Sequence, residues 1–472
     1  MFFNSLQFAA FFIIVYGLYL LLDHRRQNMM LLAASYIFYG TWNWKFLFLI
    51  WLSTILDYSC GIKIHESTGI KKKKMFLFLS VLGNLSILGF FKYYNFFIFN
   101  LQELLTYSGF SINTSLINII LPVGISFYTF QTMSYTIDIY YNKIKPTRNI
   151  LDFSLFVAFF PQLVAGPIET AKHLLPQISS PRKLSLEKFY KGCFLIYWGL
   201  FQKIYIADNL ALIVDPVFSG SVPYNGAKVL VAVYAFAFQI FCDFAGYSNI
   251  AIGLGNLMGF DIMTNFNLPY FAANPSDFWK RWHISLSKWL KDYLYIPLGG
   301  NRKGVFNTYR NLTITMLLGG LWHGASWTFI AWGGYHGLLL ILHRLMKPLL
   351  NKMSSFNNII IKKVWAVIKV LFFFHLICLG WLIFRAQSIG QAYGMLKSLI
   401  YDFNIVRGLG FKDFLIYTWL LLIIEYICYI KNDLNIVLKW PVLIRFAVYL
   451  IIYILLTIYG AESGHEFIYF QF

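Results

Sequence analysis

The sequence is poor in charge: Asp, Glu, Lys and Arg make up only 12% of its 472 residues. A soluble domain carries about 25%, so a soluble globular chain is excluded. Cysteine is scarce as well. Cys60, Cys193, Cys242, Cys378 and Cys428 stand apart in apolar surroundings without CxxC spacing, which indicates neither a disulfide framework nor a metal site. There is no Walker A run, no glycine fingerprint of a dinucleotide fold and no HExxH, so chemistry built on those devices is disfavoured. The first residues lack the basic n-region and small-residue cleavage site of a secretory signal, and 6–22 reads as a retained first span. No internal repeat is visible, which weakens an inverted-repeat transporter.

What is present is apolar surface. The chain is 58% hydrophobic and 20% aromatic, with a mean hydropathy of +0.61. Its apolar runs are long enough to cross a hydrocarbon layer of about 30 Å and recur along the whole length. These features predict an all-α, polytopic integral membrane protein with a single membrane domain over 1–472. Eleven spans are expected, at 6–22, 29–50, 51–64, 75–92, 116–140, 192–217, 228–258, 322–343, 364–384, 413–430 and 441–460. The formal charge of +19 calls for no nucleic acid. Its Lys and Arg clusters fall in short breaks between apolar runs, as positive-inside topology requires. Segments 151–178 and 308–320 are expected to enter the membrane without crossing it. In the first, two prolines and a glycine interrupt the apolar stretch Phe159–Pro167, which suits a re-entrant segment lining a chamber.

The most regular segment is not a span. Asn274-Pro275-Ser276-Asp277 reads as an N-cap, an N1 proline and an acidic N3. Pro297 with Gly299-Gly300 marks the stop. On a helical wheel at about 100° per residue, Phe278, Trp279, Trp282, Leu286, Trp289, Leu290, Tyr293 and Leu294 share one arc of 278–294. The polar residues fill the other arc, so an interfacial helix is expected, its basic face toward water. His283 falls inside the apolar arc and points inward.

His323 lies in Gly319-Gly320-Leu321-Trp322-His323-Gly324-Ala325-Ser326-Trp327, with no acid, lysine or arginine from Asn311 to Tyr335. An ionisable ring at membrane depth is costly unless paired, and is a functional candidate by default; the alternative is a packed ring bonded to a backbone carbonyl. The glycines around it, and Gly333, Gly334 and Gly337 beyond, permit close helix approach. Imidazole titrates near neutrality, so His323 and His283 suit proton transfer from a hydroxyl to a leaving thiolate, as acyl transfer from a thioester requires. Lys280, Arg281, Lys288, Lys291, Arg302 and Lys303 are candidates for the phosphates of a coenzyme A donor, although positive-inside topology also explains them. Asp138, Asp208 and Asp243 sit in or beside apolar runs, where pairing with a nearby Lys or Arg is the commoner role.

Several strings resemble the membrane-bound O-acyltransferase family, in order and over most of the chain. They are Phe278-Trp279-Lys280-Arg281-Trp282-His283-Ile284-Ser285-Leu286-Ser287, Asp292–Arg302 and Leu321–Trp327, with Leu121–Gln131, Gln162–Ile168 and Gly380–Ala386 beside them. The similarity is greatest to the bacterial polysaccharide branch that contains alginate and peptidoglycan O-acetyltransferases. It implies a ring of about eleven transmembrane helices around a central tunnel, with re-entrant and interfacial helices. The family histidine falls on His323 and a second, more variable polar position on His283. The implied activity moves an acyl group, acetyl in the first instance, from a cytoplasmic thioester such as acetyl-CoA across the bacterial inner membrane. No cofactor is expected to be held tightly. The implied partners are an extracytoplasmic SGNH-type O-acetyltransferase, membrane lipid and a cell-envelope polysaccharide as final acceptor.

The tail 461–472 ends Phe467-Ile468-Tyr469-Phe470-Gln471-Phe472, resembling an FxYxxF motif whose tyrosine carries the acyl group as an ester. A phenyl ester, with a leaving group of pKa about 10, suits a carrier. An aromatic belt at the membrane interface is the other reading of the same residues. Two rival functions stay open at this point: direct O-acylation of a lipid or small hydroxylated acceptor, and a proton-coupled transporter.

Overall fold

The computed structural model describes residues 1–110, 117, 119–353, 358–405, 408, 410–461 and 467–468. Helices dominate, and there is no strand among the described residues. Six helical runs there are long and apolar enough to cross a membrane: His24–Glu66, Ile70–Tyr107, Gly226–Leu257, Ile359–Arg385, Phe411–Lys431 and Val442–Tyr459. The chain is a multi-pass membrane protein.

It divides into two compact units, the first made of 1–193 and 251–263. This unit opens with α1 (Leu6–Leu21), α2 (His24–Asn43), α3 (Leu47–Glu66) and α4 (Ile70–Leu88), the last continuing through a π-turn into α5 (Tyr94–Tyr107). Asp23 caps α2 by accepting the Arg26 N–H. Then come α6 (Ile125–Tyr140), α7 (Ile150–Ala158), α8 (Phe160–Leu163) and α9 (Ala171–Ser179). The expected span at 116–140 is shorter than predicted. Its helix begins at Ile125 because Gly124 turns the chain with φ 77°, where a side chain would also strike the Leu163 carbonyl. Segment 151–178 folds as the short helices α7, α8 and α9, with residues 152–169 buried in protein. Buried Asp57 joins α3 to α4 by accepting from Ser80 at 2.5 Å and Asn84 at 2.7 Å. Ser80 in turn meets Thr136 of α6 at 2.8 Å, so Asp57, Ser80, Asn84 and Thr136 form one buried polar network across the three helices.

The second unit comprises 194–250 and 264–472. It is entered by α10 (Leu186–Leu200), which passes through a π-helical turn, Phe201–Ala207, into α11 (Asp208–Phe218). The long α12 (Gly226–Leu257) is buried along most of its length. Next are α13 (Pro275–Phe278), α14 (Ile284–Leu290), α15 (Gly304–His323), α16 (Trp327–Met353), α17 (Ile359–Arg385), α18 (Ile389–Tyr401), α19 (Phe411–Lys431) and α20 (Val442–Tyr459).

Residues 308–320, expected to enter the membrane without crossing it, form the body of α15, a continuous helix of 20 residues. Its polar side chains are satisfied locally, Thr308 and Thr315 each bonding the carbonyl four residues back. The predicted span at 322–343 is in fact two helices, broken after His323 where Gly324 becomes extended. The interfacial helix over 278–294 is also interrupted: α13 ends at Phe278, and α14 starts only after a left-handed residue at His283. The predicted cap survives the interruption, with the Asn274 side chain accepting the Asp277 N–H at 2.9 Å.

Candidate functional site

The break at His283 builds the site. Its backbone has φ 42° and ψ 56°, a left-handed conformation that disfavours a residue with a Cβ by roughly 1–2 kcal/mol. Asn265 holds it there. The Asn265 carbonyl accepts the Ile284 N–H at 2.9 Å, while its side-chain Oδ1 accepts the Ser285 N–H at 3.3 Å and the Ser285 hydroxyl at 2.9 Å. The same Oδ1 lies 3.1 Å from His283 Nδ1. A backbone N–H can only donate, so the Asn265 atom that accepts it is the oxygen, and the His283 nitrogen facing it must carry the proton. Neutral His283 is therefore fixed as the Nδ1–H tautomer, which leaves its lone pair on Nε2, the form of a general base. The left-handed turn also drives the ring fully inside, edge-on to Phe244 at 4.7 Å and beside Trp322 at 5.8 Å.

His323 closes α15 and is 3% exposed. Trp322, Trp332 and Phe384 surround its ring at 5.1, 5.0 and 5.4 Å. Its position depends on how closely α15 approaches α16. A Cβ at Gly320 would strike the Phe329 carbonyl, and one at Gly333 the Met316 carbonyl. The two predicted histidines thus share one aromatic cluster, with Trp322 in contact with both.

The terminal segment reaches the same cluster. Phe467 packs on Phe244 at 5.8 Å and Tyr247 at 5.1 Å, so Phe244 touches both His283 and Phe467. The Ile468 N–H donates to Asp243 at 2.7 Å. Tyr469 lies outside the described residues. The suspected aspartates are paired: Lys203 bridges Asp208 at 2.7 Å and Asp243 at 2.8 Å, and Lys143 meets Asp138 at 3.1 Å. Of the six basic candidates, Lys280, Lys288, Lys291, Arg302 and Lys303 are exposed. Arg281 differs, because its guanidinium is engaged by Asp277 at 2.9 Å and by the Asn267 carbonyl.

Sequence reasoning missed two residues. Asn265 gives no local signal, since its partners lie 18 to 20 residues away. His336 on α16 was open to detection, for it follows Gly333-Gly334-Tyr335 much as His323 follows its own glycines. It is 1% exposed, stacks on Phe278 at 5.9 Å and meets Trp332 at 4.7 Å, so Trp332 lies against both His323 and His336. Neither of its ring nitrogens has a hydrogen-bond partner among the described residues.

The Asn265 arrangement makes a prediction. In Asn265→Ala the His283 tautomer is no longer fixed and the Ser285 donors lose their acceptor. Turnover should fall on the order of 10²-fold, and stability by about 1–3 kcal/mol. Steady-state kinetics alongside thermal unfolding of the variant provide the check; wild-type turnover would remove Asn265 from the site.

The fold and this cluster define a class: a multi-pass helical membrane protein that brings imidazoles together inside its own apolar packing. Residues 141–384 match the family described as MBOAT, the membrane-bound O-acyltransferase family. The chain belongs to that family and is an acyltransferase, which removes the transporter reading. It is 45% identical over 398 residues to the probable alginate O-acetylase of Pseudomonas putida, covering 84% of this chain and 79% of that protein. Over 399 residues it is 38% identical to the peptidoglycan O-acetyltransferase of Helicobacter pylori, covering 79% and 73%. A teichoic acid D-alanyltransferase of Streptococcus thermophilus is 31% identical over 234 residues, 47% of this chain and 56% of its own.

Proposed function

We propose that this protein takes an acetyl group from cytoplasmic acetyl-CoA and exports it across the inner membrane, as an ester on Tyr469, for O-acetylation of a cell-envelope polysaccharide. An extracytoplasmic SGNH-type O-acetyltransferase completes the transfer to sugar hydroxyls. The observation that carries this reading is the seating of Phe467 and Ile468 beside the wall of His283, directly ahead of Tyr469 in sequence. Names of relatives support the acceptor class and the acetyl group: the Pseudomonas and Helicobacter proteins are O-acetylating by name, one on alginate and one on peptidoglycan.

In the proposed step the Tyr469 hydroxyl attacks the thioester carbonyl, a C–O bond forms and the C–S bond breaks. His323 takes the phenolic proton, which ends on the departing thiolate to give the free thiol. His283, with its lone pair on Nε2, assists on that proton's path. The aromatic surround excludes water, which would otherwise hydrolyse the ester. Lys280, Lys288, Lys291, Arg302 and Lys303 are available to the phosphates of the donor; Arg281 is held by Asp277.

Incubating the purified protein in nanodiscs with isotope-labelled acetyl-CoA, quenching in acid and sequencing the terminal peptide by mass spectrometry provides the test. An acetyl group on Tyr469, absent from Tyr469→Phe, is the expected result. Donor consumption with an unmodified terminal peptide would instead favour direct acylation of a lipid or small hydroxylated acceptor.

A further inference from the structure

We infer that Asp243, held by Lys203, together with the π-helical turn Phe201–Ala207, forms a clamp that registers the terminal segment in the site; the functional consequence rests on the carrier role proposed for Tyr469. A π-turn inserts one extra residue into a helix and is frequent at functional sites. This one gathers several contacts to the terminal segment. The Ile204 carbonyl accepts the Ala461 N–H at 3.4 Å, and Asn209, just past the turn, donates to the Tyr459 carbonyl at 2.8 Å. Lys203, within the turn, holds Asp243, whose other oxygen accepts the Ile468 N–H at 2.7 Å. The chain leaving α20 is thus tied at 459–461 and again at 468.

Charge explains why a backbone N–H belongs at Asp243. One lysine faces two carboxylates, and all three side chains are buried. By formal charge the two carboxylates outnumber the lysine, and a buried carboxylate oxygen requires a donor. The Ile468 N–H supplies it and makes a charge-assisted bond. Phe467 adds an apolar anchor on Phe244 and Tyr247. Asp243 acts here through the tail, as a positioning residue.

The same balance makes the test practicable. Asp243→Ala leaves Lys203 paired with Asp208, one charge against one, so the variant is expected to fold. Asp243→Asn keeps an oxygen to accept the Ile468 N–H and serves as the conservative rescue. Full-length variants in nanodiscs are exposed to carboxypeptidase, and release of terminal residues is followed by intact-protein mass spectrometry, in parallel with acetylation of the terminal peptide. Release from Asp243→Ala should be about 10- to 100-fold faster than from wild type, the equivalent of losing one hydrogen bond to a charged group. Asp243→Asn should stay within a few fold of wild type, and Tyr469→Phe should match it. Tail acetylation in Asp243→Ala should fall in proportion to the loosening. Wild-type release rates from Asp243→Ala would overturn the clamp. Faster release with undiminished acetyl transfer to acceptor would support the clamp and overturn the carrier role of Tyr469.

Discussion

Acyl transfer is expected to be lost in His323→Ala while the protein still folds. A positioned base contributes on the order of 10²–10⁴-fold to rate, and Trp322, Trp332 and Phe384, which pack around His323, carry no base to replace it. Alanine leaves a space lined by Trp322, Trp332 and Phe384, so His323→Gln, which fills more of that volume without a titrating ring, separates chemistry from packing. Both variants should keep the thermal unfolding of wild type to within a few degrees and consume donor at least 100-fold more slowly. Turnover within threefold of wild type in His323→Gln would take the base away from this residue.

Gly333→Val should be as severe by a different route. The Cβ introduced there meets the Met316 carbonyl on α15, a backbone atom that no rotamer change can move. The two helices must separate, and overpacking of this kind costs roughly 1–3 kcal/mol. Separation also displaces His323 at the end of α15, and a displacement of about 1 Å is enough to lose on the order of 10²-fold in rate. Gly334→Ala is the control, because its Cβ would meet only the Leu317 side chain, at 3.5 Å. The expected pattern is lowered thermal stability and little activity in Gly333→Val, with Gly334→Ala near wild type. Wild-type behaviour of both would show that the close approach of α15 to α16 has no bearing on the site.

The features the sequence made legible share a physical origin. Apolar runs, the Asn274 cap and the inward face of His283 depend on local spacing, and they were readable. So were the two histidines and the aspartates, because ionisable groups are rare in such surroundings. What escaped depends on partners distant in sequence. The wheel over 278–294 gave no sign of the left-handed turn, since the atoms that hold it belong to Asn265. Within 308–320 the polar side chains of Thr308, Asn311 and Thr315 are each satisfied, Asn311 by the Gly300 carbonyl at 3.0 Å, a partner that local spacing does not reveal. The π-turn at 201–207 leaves no mark on periodicity strong enough to separate it from an ordinary span.

The strained turn at His283 also governs when the centre comes into being during synthesis. Asn265 leaves the ribosome before His283, and the hydrogen bonds that force the histidine inward require Ile284 and Ser285 as well. Until those residues have closed on one another, the relaxed backbone holds the imidazole elsewhere. A half-made chain therefore lacks the inward imidazole, and the aromatic cluster around it is complete only once Asn265 has met Ile284 and Ser285.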